Sequence, residues 1–276
     1  MDWKEIAGIG VAGNFTGHLE QAGESNDFTN VKVKDQRAPK GVFPFYIPNG
    51  SDHYLHQMPI SSDTIQLSNE QENHQIEPEM SLLCKVIYNN NLVQGLTPIY
   101  AMAHNDCSIR KNGAQKISEK KNWGANSKGV SEQRITIDRF QNGGVLDSYH
   151  LTCYLCRDNN FHLYGIDSPV TGYSYFYTEL IDWLTEQMRT QIDEGPLENI
   201  TEWLTKANHP EHLLVSIGAT KYTQFGETNY LKPGDTSYVV LYDAKQYSEY
   251  EVLQMLKNST YQNAPWISVL KQQVSL

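Results

Sequence analysis

Apolar positions in this chain fall into short runs punctuated by glycine, proline and asparagine, and the spacing inside each run predicts its element. Residues 5–13 are apolar and rich in glycine and predict a buried strand. A longer apolar run, Met80 to Tyr88, is headed by Glu77-Pro78-Glu79, and the next ends in His104-Asn105-Asp106-Cys107-Ser108-Ile109-Arg110. Both predict strands. Ser61–Leu67 predicts a short strand, and Ser68–Gln75 a polar connection into Glu77. Ile135–Phe140, Tyr149–Arg157 and Phe161–Ile166, separated by turns at Asn142-Gly143-Gly144 and Asp158-Asn159-Asn160, predict a strand meander. The period then changes. Tyr177, Leu180, Ile181, Leu184 and Met188 share one helix face, ended by Gly195-Pro196, and a second short helix is expected at 197–206. His212–Gly218 and Thr236–Tyr242 predict strands, the latter after a turn at Leu231–Asp235. Ser248-Glu249-Tyr250-Glu251 has the form of a capping box opening a final helix through about Lys257.

Three segments lack such periodicity. Asn14 to Glu24 sets Gly17 and Gly23 on either side of His18 and Glu20, with Glu24 next to the second, which suits a mobile lid carrying ionisable groups. Pro39 to Pro59 is proline- and aromatic-rich and reads as a packed loop rather than a regular element. Residues 111–129 interleave Lys111, Lys116, Lys120, Lys121 and Lys128 with Asn and Gly, as a solvated loop or a cationic lid over an anionic substrate would.

Composition narrows the function classes. The 276 residues can bury a sizeable core, and 39% hydrophobic content with 17 Tyr describes a strand-rich globular chain. A net charge of −10 argues against a nucleic-acid surface, and the apolar runs fall short of the roughly 20 residues a membrane helix needs. Met1-Asp2-Trp3-Lys4-Glu5 has no charged-then-apolar leader, so a cytoplasmic protein is expected. Cys153 and Cys156 stand three apart on an alternating run, hence on opposite faces of a strand. Together with Cys84 and Cys107 they read as buried or half-buried thiols in a reducing compartment.

On a strand Glu77 and Glu79 face the same way, and strand pairing can bring Asp106 across to them. Three carboxylates without His or Cys are a hard-cation set, suited to Mg²⁺, Mn²⁺ or Ca²⁺. The plainer reading is the solvated face of a half-buried sheet. For His18 it is an ordinary loop histidine, for Arg110 a structural ion pair, and for His104 a packing residue.

In order along about 220 residues, the chain resembles the fumarylacetoacetate hydrolase family. Gly13-Asn14-Phe15-Thr16-Gly17-His18 looks like its N-Y-x-x-H element, Glu77-Pro78-Glu79 its E-x-E strand, and Asn105-Asp106-Cys107-Ser108-Ile109-Arg110 its N-D-x-S-x-R motif. Lys128-Gly129 sits where a G-K-S/G-F-like turn is expected, Ile217-Gly218-Ala219-Thr220 is similar to T-G-T-P, and Leu231-Lys232-Pro233-Gly234-Asp235 matches L-x-P-G-D. The resemblance implies an α+β, β-rich fold, a mixed β-sandwich roll with a few peripheral helices, in one domain over residues 1–276. That domain would divide into an N-terminal strand, lid and proline-rich segment (1–60), a catalytic roll (61–245), and a C-terminal helix and tail (246–276). It implies a homodimer and a divalent ion on Glu77, Glu79 and Asp106, with Arg110, Lys128 and Thr220 reading the substrate. The implied substrate is a small anionic 2-oxo or β-diketo acid of the acylpyruvate type, with His18 as general base.

Two departures bear on activity. Many members place a Glu three residues after the His to orient it; here that position is Gln21, flanked by Glu20 and Glu24. The Lys expected in a Phe-x-Lys-Pro element is Ile47 in Phe45-Tyr46-Ile47-Pro48. An intact carboxylate set favours a C–C bond hydrolase or a related decarboxylase, hydratase or isomerase. Gln21 and Ile47 favour a non-catalytic descendant that binds a metal, a small ligand or a partner.

Overall fold

The apolar run from Met80 to Cys84 becomes strand buried on both faces, which is why it reads as continuous, whereas beyond it Lys85 and Ile87 are exposed on either side of buried Val86. The structure, a computed structural model, describes residues 2–29, 31, 33–68, 71–111 and 113–276. Positions 69 and 70 of the expected 68–75 connection and position 112 of the lysine-rich segment lie outside the described residues. In chain order the strands are β1 (Ala7–Ala12), β2 (Gly41–Tyr46), β3 (Ile60–Ser61), β4 (Thr64–Gln66), β5 (Asn73–Gln75), β6 (Pro78–Asn89), β7 (Leu92–Asn105), β8 (Ser108–Arg110), β9 (Lys128–Val130), β10 (Ile135–Thr136), β11 (Tyr149–Arg157), β12 (Asn160–Pro169), β13 (His212–Ser216), β14 (Thr236–Asp243) and β15 (Ile267–Ser275). The helices are α1 (His18–Gln21), α2 (Tyr177–Thr190), α3 (Ile200–Lys206), α4 (Gln224–Thr228) and α5 (Glu249–Asn258).

One mixed sheet runs β2-β1-β13-β6-β7-β9-β3, with β10 also on β7, and a second runs β12-β11-β14-β15-β4. The strand period of two sorts side chains between layers. Leu82, Ala101, Leu213 and Val215 of the first sheet meet Leu151, Val239, Leu241 and Leu270 of the second in the central core. Leu83, Met102 and Leu214 point to the opposite face, where they pack with Phe43, Phe45 and Val130. On the outside of the second sheet, Val240 and Tyr242 take Val252 and Leu256 of α5. The α+β, β-rich class expected from the sequence is therefore the one observed.

Several boundaries differ from expectation, each for a physical reason. The proline-rich 39–59 segment is not all loop. Gly41–Tyr46 is a fully buried strand on β1, and Pro44 is tolerated because β2 is an edge, where a missing N–H leaves no ladder bond unmade. The expected meander is a β11–β12 hairpin turned by Asp158 and Asn159, both at positive φ. Ile135–Thr136 instead pairs with β7 in the other sheet. Helix α2 stops at Thr190, and α3 starts at Ile200, capped by Asn199. The capping box of α5 forms as read, with Ser248 and Glu251 each bonding the other's backbone N–H. Beyond α5 the chain is not a loose tail: β15 lies between β14 and β4.

Candidate functional site

The site lies on the outer face of the first sheet, where the β6–β7 ladder ends. Glu79 stands directly opposite His104, and Pro78 opposite Asn105. Beyond that pair the strands separate, then meet again as β5 on β8, with Gln75 opposite Ser108. In the gap the Asp106 amide donates to the Glu77 carbonyl at 3.0 Å, and the Glu77 amide to Asn105 Oδ1 at 3.2 Å. This break in the ladder brings Asp106 to the two glutamates. One oxygen each from Glu77, Glu79 and Asp106 lies within 4.8 Å of the others, and all three residues are buried.

Glycine shapes the floor. A Cβ on Gly8 would sit 2.1 Å from the Phe45 ring, and one on Gly10 2.3 Å from the Phe43 ring. The bare backbone of β1 therefore lets both aromatics lie flat beneath the charged groups. Lys121 Nζ is 5.4 Å from the Phe43 ring centroid, and Lys128 Nζ is 6.0 Å from that of Phe45.

Each acidic side chain has a distinct environment. Glu79 accepts from Ser216 Oγ and from the Gly218 amide at 2.7 Å, and burial, with Asp106 adding, raises its pKa well above the carboxylate range. Burial also opposes ionisation of Glu77, but Lys121 and Arg110 outweigh it and lower its pKa. Asp106 is depressed for the same reason, by Lys121 and Lys128 over burial. Lys121 Nζ is 2.6 Å from both Glu77 Oε2 and Asp106 Oδ2, and Lys128 Nζ is 2.8 Å from Asp106 Oδ1.

The segment 13–24 closes over this centre. Gly13, Gly17 and Gly23 take positive φ, where a side chain would be strained. Asn14 fixes the near end by donating to the carbonyls of Tyr175 and Ile217. His18 is buried on the single turn of α1, its Nδ1 2.9 Å from the Thr220 carbonyl. A carbonyl only accepts, so Nδ1 carries the proton and Nε2 the lone pair. Burial lowers the His18 pKa, so the ring is neutral. Together with Glu24, Lys121, Phe43 and the three acids, His18 lines a cavity of about 20 Å³, room for about one water molecule.

The sequence-derived site residues are thus gathered unevenly. Glu77, Glu79, Asp106 and His18 line one cavity. Gln21 turns elsewhere: its amide donates to the Tyr222 carbonyl at 3.2 Å and accepts from the Tyr222 amide at 2.9 Å. Glu20 is exposed. Thr220 serves His18 through its carbonyl, while its amide bonds the Pro78 carbonyl at 3.1 Å. Every donor group of Arg110 is engaged: Nε with Gln75, Nη1 with Glu24 and Glu77, Nη2 with the Tyr222 hydroxyl. Lys128 is fully buried against Asp106 and the Cys107 carbonyl. His104 sits behind Asp106, buried and, by that burial, neutral.

Three participants that the sequence places only in lid-like segments belong to the centre itself. Glu24 accepts from Arg110 and Lys120 at 2.9 Å each. Lys120 and Lys121 come from the segment that reads as solvated or lid-like, and both are buried. The local signal is faint: the pair stands between Ile117-Ser118 and Asn122-Trp123, an apolar-flanked stretch in an otherwise polar run.

Three acidic side chains without nitrogen or sulfur suit a hard divalent ion, and their mutual spacing is that of oxygens around one ion at roughly 2.0–2.6 Å. The donor set fits. Set against it are the cations already on these oxygens: Lys121, seated between two of the three, Lys128 on Asp106 and Arg110 on Glu77.

A family model described as "Family of unknown function (DUF5718)" matches residues 24–274, so His18 lies ahead of the matched region. No curated protein matches the chain. Among solved structures it is similar to a 2-keto-3-deoxyarabinonate dehydratase, at 15% identity and a TM-score of 0.51, covering 98% of this chain and 72% of that one. It is also similar to a 5-carboxymethyl-2-hydroxymuconate delta-isomerase from Mycobacterium smegmatis (13%, TM-score 0.50, 98% and 78%). A third is a protein from Yersinia pestis CO92 assigned to the fumarylacetoacetate hydrolase family (10%, TM-score 0.52, 98% and 93%). At these identities the likeness is one of fold, and it bears out the fumarylacetoacetate hydrolase-like fold that the motifs implied.

Proposed function

The chain belongs to the DUF5718 family, and we propose that it is an enzyme acting on a small 2-oxo or β-diketo acid of the acylpyruvate type. Glu77, Glu79 and Asp106 would hold Mg²⁺, Mn²⁺ or Ca²⁺, and His18 would serve as general base. The observation that carries this reading is the convergence of three buried carboxylates and a neutral imidazole on one cavity. A divalent ion in that place supplies Lewis acidity toward the oxo and carboxylate oxygens of such a substrate.

The chain's own residues supply the rest. His18, with its proton fixed on Nδ1 by Thr220, offers Nε2 to a proton on water or on the carbon beside the oxo group. A cavity of about 20 Å³ does not admit an acylpyruvate, so the glycine-jointed 13–24 segment must lift to let substrate in. Lifting carries both His18 and Glu24 away from the centre, so the segment closes again over bound substrate, with the Arg110 guanidinium meeting the substrate carboxylate in place of Glu24. C–C hydrolysis is the first reaction to test, with decarboxylation, hydration or dehydration, and isomerisation as chemical neighbours. The relatives in fold include a dehydratase and an isomerase.

A second reading, a non-catalytic binder on the same fold, is favoured by Gln21 facing Tyr222 rather than His18, and by an Arg110 whose donors are already engaged. Incubating the protein with a panel of acylpyruvates and oxaloacetate plus Mg²⁺ or Mn²⁺ separates the two. Turnover by the wild type that His18→Ala loses supports the enzyme. Stabilisation by oxalate without turnover of any member supports the binder. The homodimer implied by the resemblance belongs to the same proposal, and sedimentation equilibrium tests it.

A further inference from the structure

Between two of the three carboxylates the fold already places a cation. Lys121 Nζ stands 2.6 Å from Glu77 Oε2 and from Asp106 Oδ2, on a side chain that is 3% exposed. Its neighbours along the chain are pinned. Ser118 Oγ donates to Glu198 at 2.9 Å and lies 2.6 Å from the Tyr54 hydroxyl. Asn122 donates to the carbonyls of Phe45 and Gln57, both at 2.9 Å, and accepts from the Gly124 amide at 3.0 Å. Lys121 therefore leaves a turn tied to the fold at both ends, with its ammonium over the Phe43 ring. This is a built position, not the resting place of a loose surface side chain.

Charge completes the picture. Among the described residues, even with the acidic side chains of Glu24, Glu77, Glu79 and Asp106 all counted as ionised, Arg110, Lys120, Lys121 and Lys128 match them in number. No deficit is left for an added ion to fill. An ion sharing the Glu77 and Asp106 oxygens would also lie within a few ångströms of the ammonium, where burial leaves their repulsion unscreened.

We propose that Lys121 is the resident cation of this centre, and that a divalent ion binds only by displacing its ammonium from Glu77 and Asp106. The proposal rests on the reading of Glu77, Glu79 and Asp106 as a cation site. Under it, the carboxylates stay together when no ion is bound because Lys121 holds them, and ion affinity is set by the competition rather than by the three acids alone.

The test is Mn²⁺ binding, followed by the paramagnetic resonance signal of the free ion, to wild type, Lys121→Met, and the double variant Lys121→Met/Glu79→Gln. We expect Lys121→Met to bind about tenfold tighter than wild type or better, and the double variant to lose the gain. Tighter binding by Lys121→Met supports the proposal whether wild type binds weakly or not at all. Equal or weaker binding by Lys121→Met, with wild type binding, overturns it and leaves the cation site standing. Binding by neither protein overturns both. Should Lys121→Met fail to fold, amine labelling of the wild type read by mass spectrometry decides. Labelling at Lys121 should rise about threefold or more with saturating Mn²⁺, against unchanged labelling at the exposed Lys257, because the displaced amine leaves its carboxylates. No rise at saturation overturns the proposal.

Discussion

The Nδ1 of His18 lies 2.9 Å from the main-chain carbonyl of Thr220, not against a carboxylate. A carboxylate partner would stabilise the imidazolium as well as orient the ring; a neutral carbonyl chiefly orients it. Burial lowers the pKa of His18, and although Glu77 and Glu24 oppose this, Arg110 and Lys121 reinforce it. The neutral, proton-accepting form therefore persists to lower pH than in an exposed histidine. In a reaction that uses this base, the acid limb of the pH–rate profile should fall below the ordinary histidine value of about 6.5. His18→Gln should cut kcat by about 10²–10⁴-fold with little change in melting temperature. An acid limb at or above the ordinary value would assign the base to another group.

Glu24 and Arg110 form the outer half of the same network, and here the pH dependence is one of stability. Burial works against the Glu24 carboxylate, but Arg110 and Lys120 outweigh it and hold its pKa at about 2, against 4.5 in a free chain. The folded value is the lower one, so the pairing stabilises fully above the unfolded value and is lost as pH falls from there through about 2. Glu24→Gln should destabilise by on the order of 3 kcal/mol at pH 7, with a shallower loss on acidification than the wild type. Urea unfolding at pH 7 and pH 3 measures both. The substitution also frees Arg110 and Lys120 for an anion, so oxalate should bind the variant more tightly. Parallel acid losses in the two proteins would show that Glu24 does not titrate with folding.

Residues that act through neighbouring strands were legible in local pattern, whereas those that act across the fold were not, and His18 entered through the family resemblance. Glu77, Glu79 and Asp106 sit at the ends of consecutive apolar runs, and consecutive strands usually pair, so their convergence followed from local pattern. Lys121 meets Glu77 across 44 residues, Glu24 meets Arg110 across 86, and no periodicity encodes either pairing. A lysine-rich run reads as solvated because its carboxylate partners lie in other segments. Pro44 misled in another way, since a proline says loop unless the strand is known to be an edge. Nothing local announces that β15, after a capped helix, will pair on both sides.

Gly10, on the buried strand β1, bears on the site from below. A Cβ there would lie 2.3 Å from the Phe43 ring, and Phe43 in turn underlies Lys121. Gly10→Ala should therefore push the ring toward the ammonium and cost about 1–3 kcal/mol. Gly95→Ala is the control, because its Cβ would meet only Ile87 Cδ1, at an ordinary 3.8 Å. Comparing the two by thermal unfolding and near-ultraviolet dichroism isolates the overpacking. A Gly10→Ala protein as stable as Gly95→Ala would mean that Phe43 has room to move.

Gln272 carries the C-terminal strand into the centre. It is fully buried; its Oε1 accepts from Asn105 Nδ2 at 3.1 Å, and its Nε2 donates to the carbonyls of Thr64 at 3.0 Å and Lys128 at 3.3 Å. Asn105 Oδ1 takes the Glu77 amide, and the Asp106 amide bonds the Glu77 carbonyl, so one glutamine braces the turn that presents two of the three acids. Gln272→Leu removes the donor and the acceptor together and leaves their buried partners unpaired, at a cost of about 1–3 kcal/mol. Its specific signature should be faster hydrogen exchange at the Asp106 amide than the drop in global stability alone explains. Gln272→Glu keeps an acceptor for Asn105 but buries a carboxylate without a cation, and should be the less stable of the two. Should the Asp106 amide exchange only as fast as the global loss dictates in both variants, then β15 holds the sheet together without reaching the carboxylates.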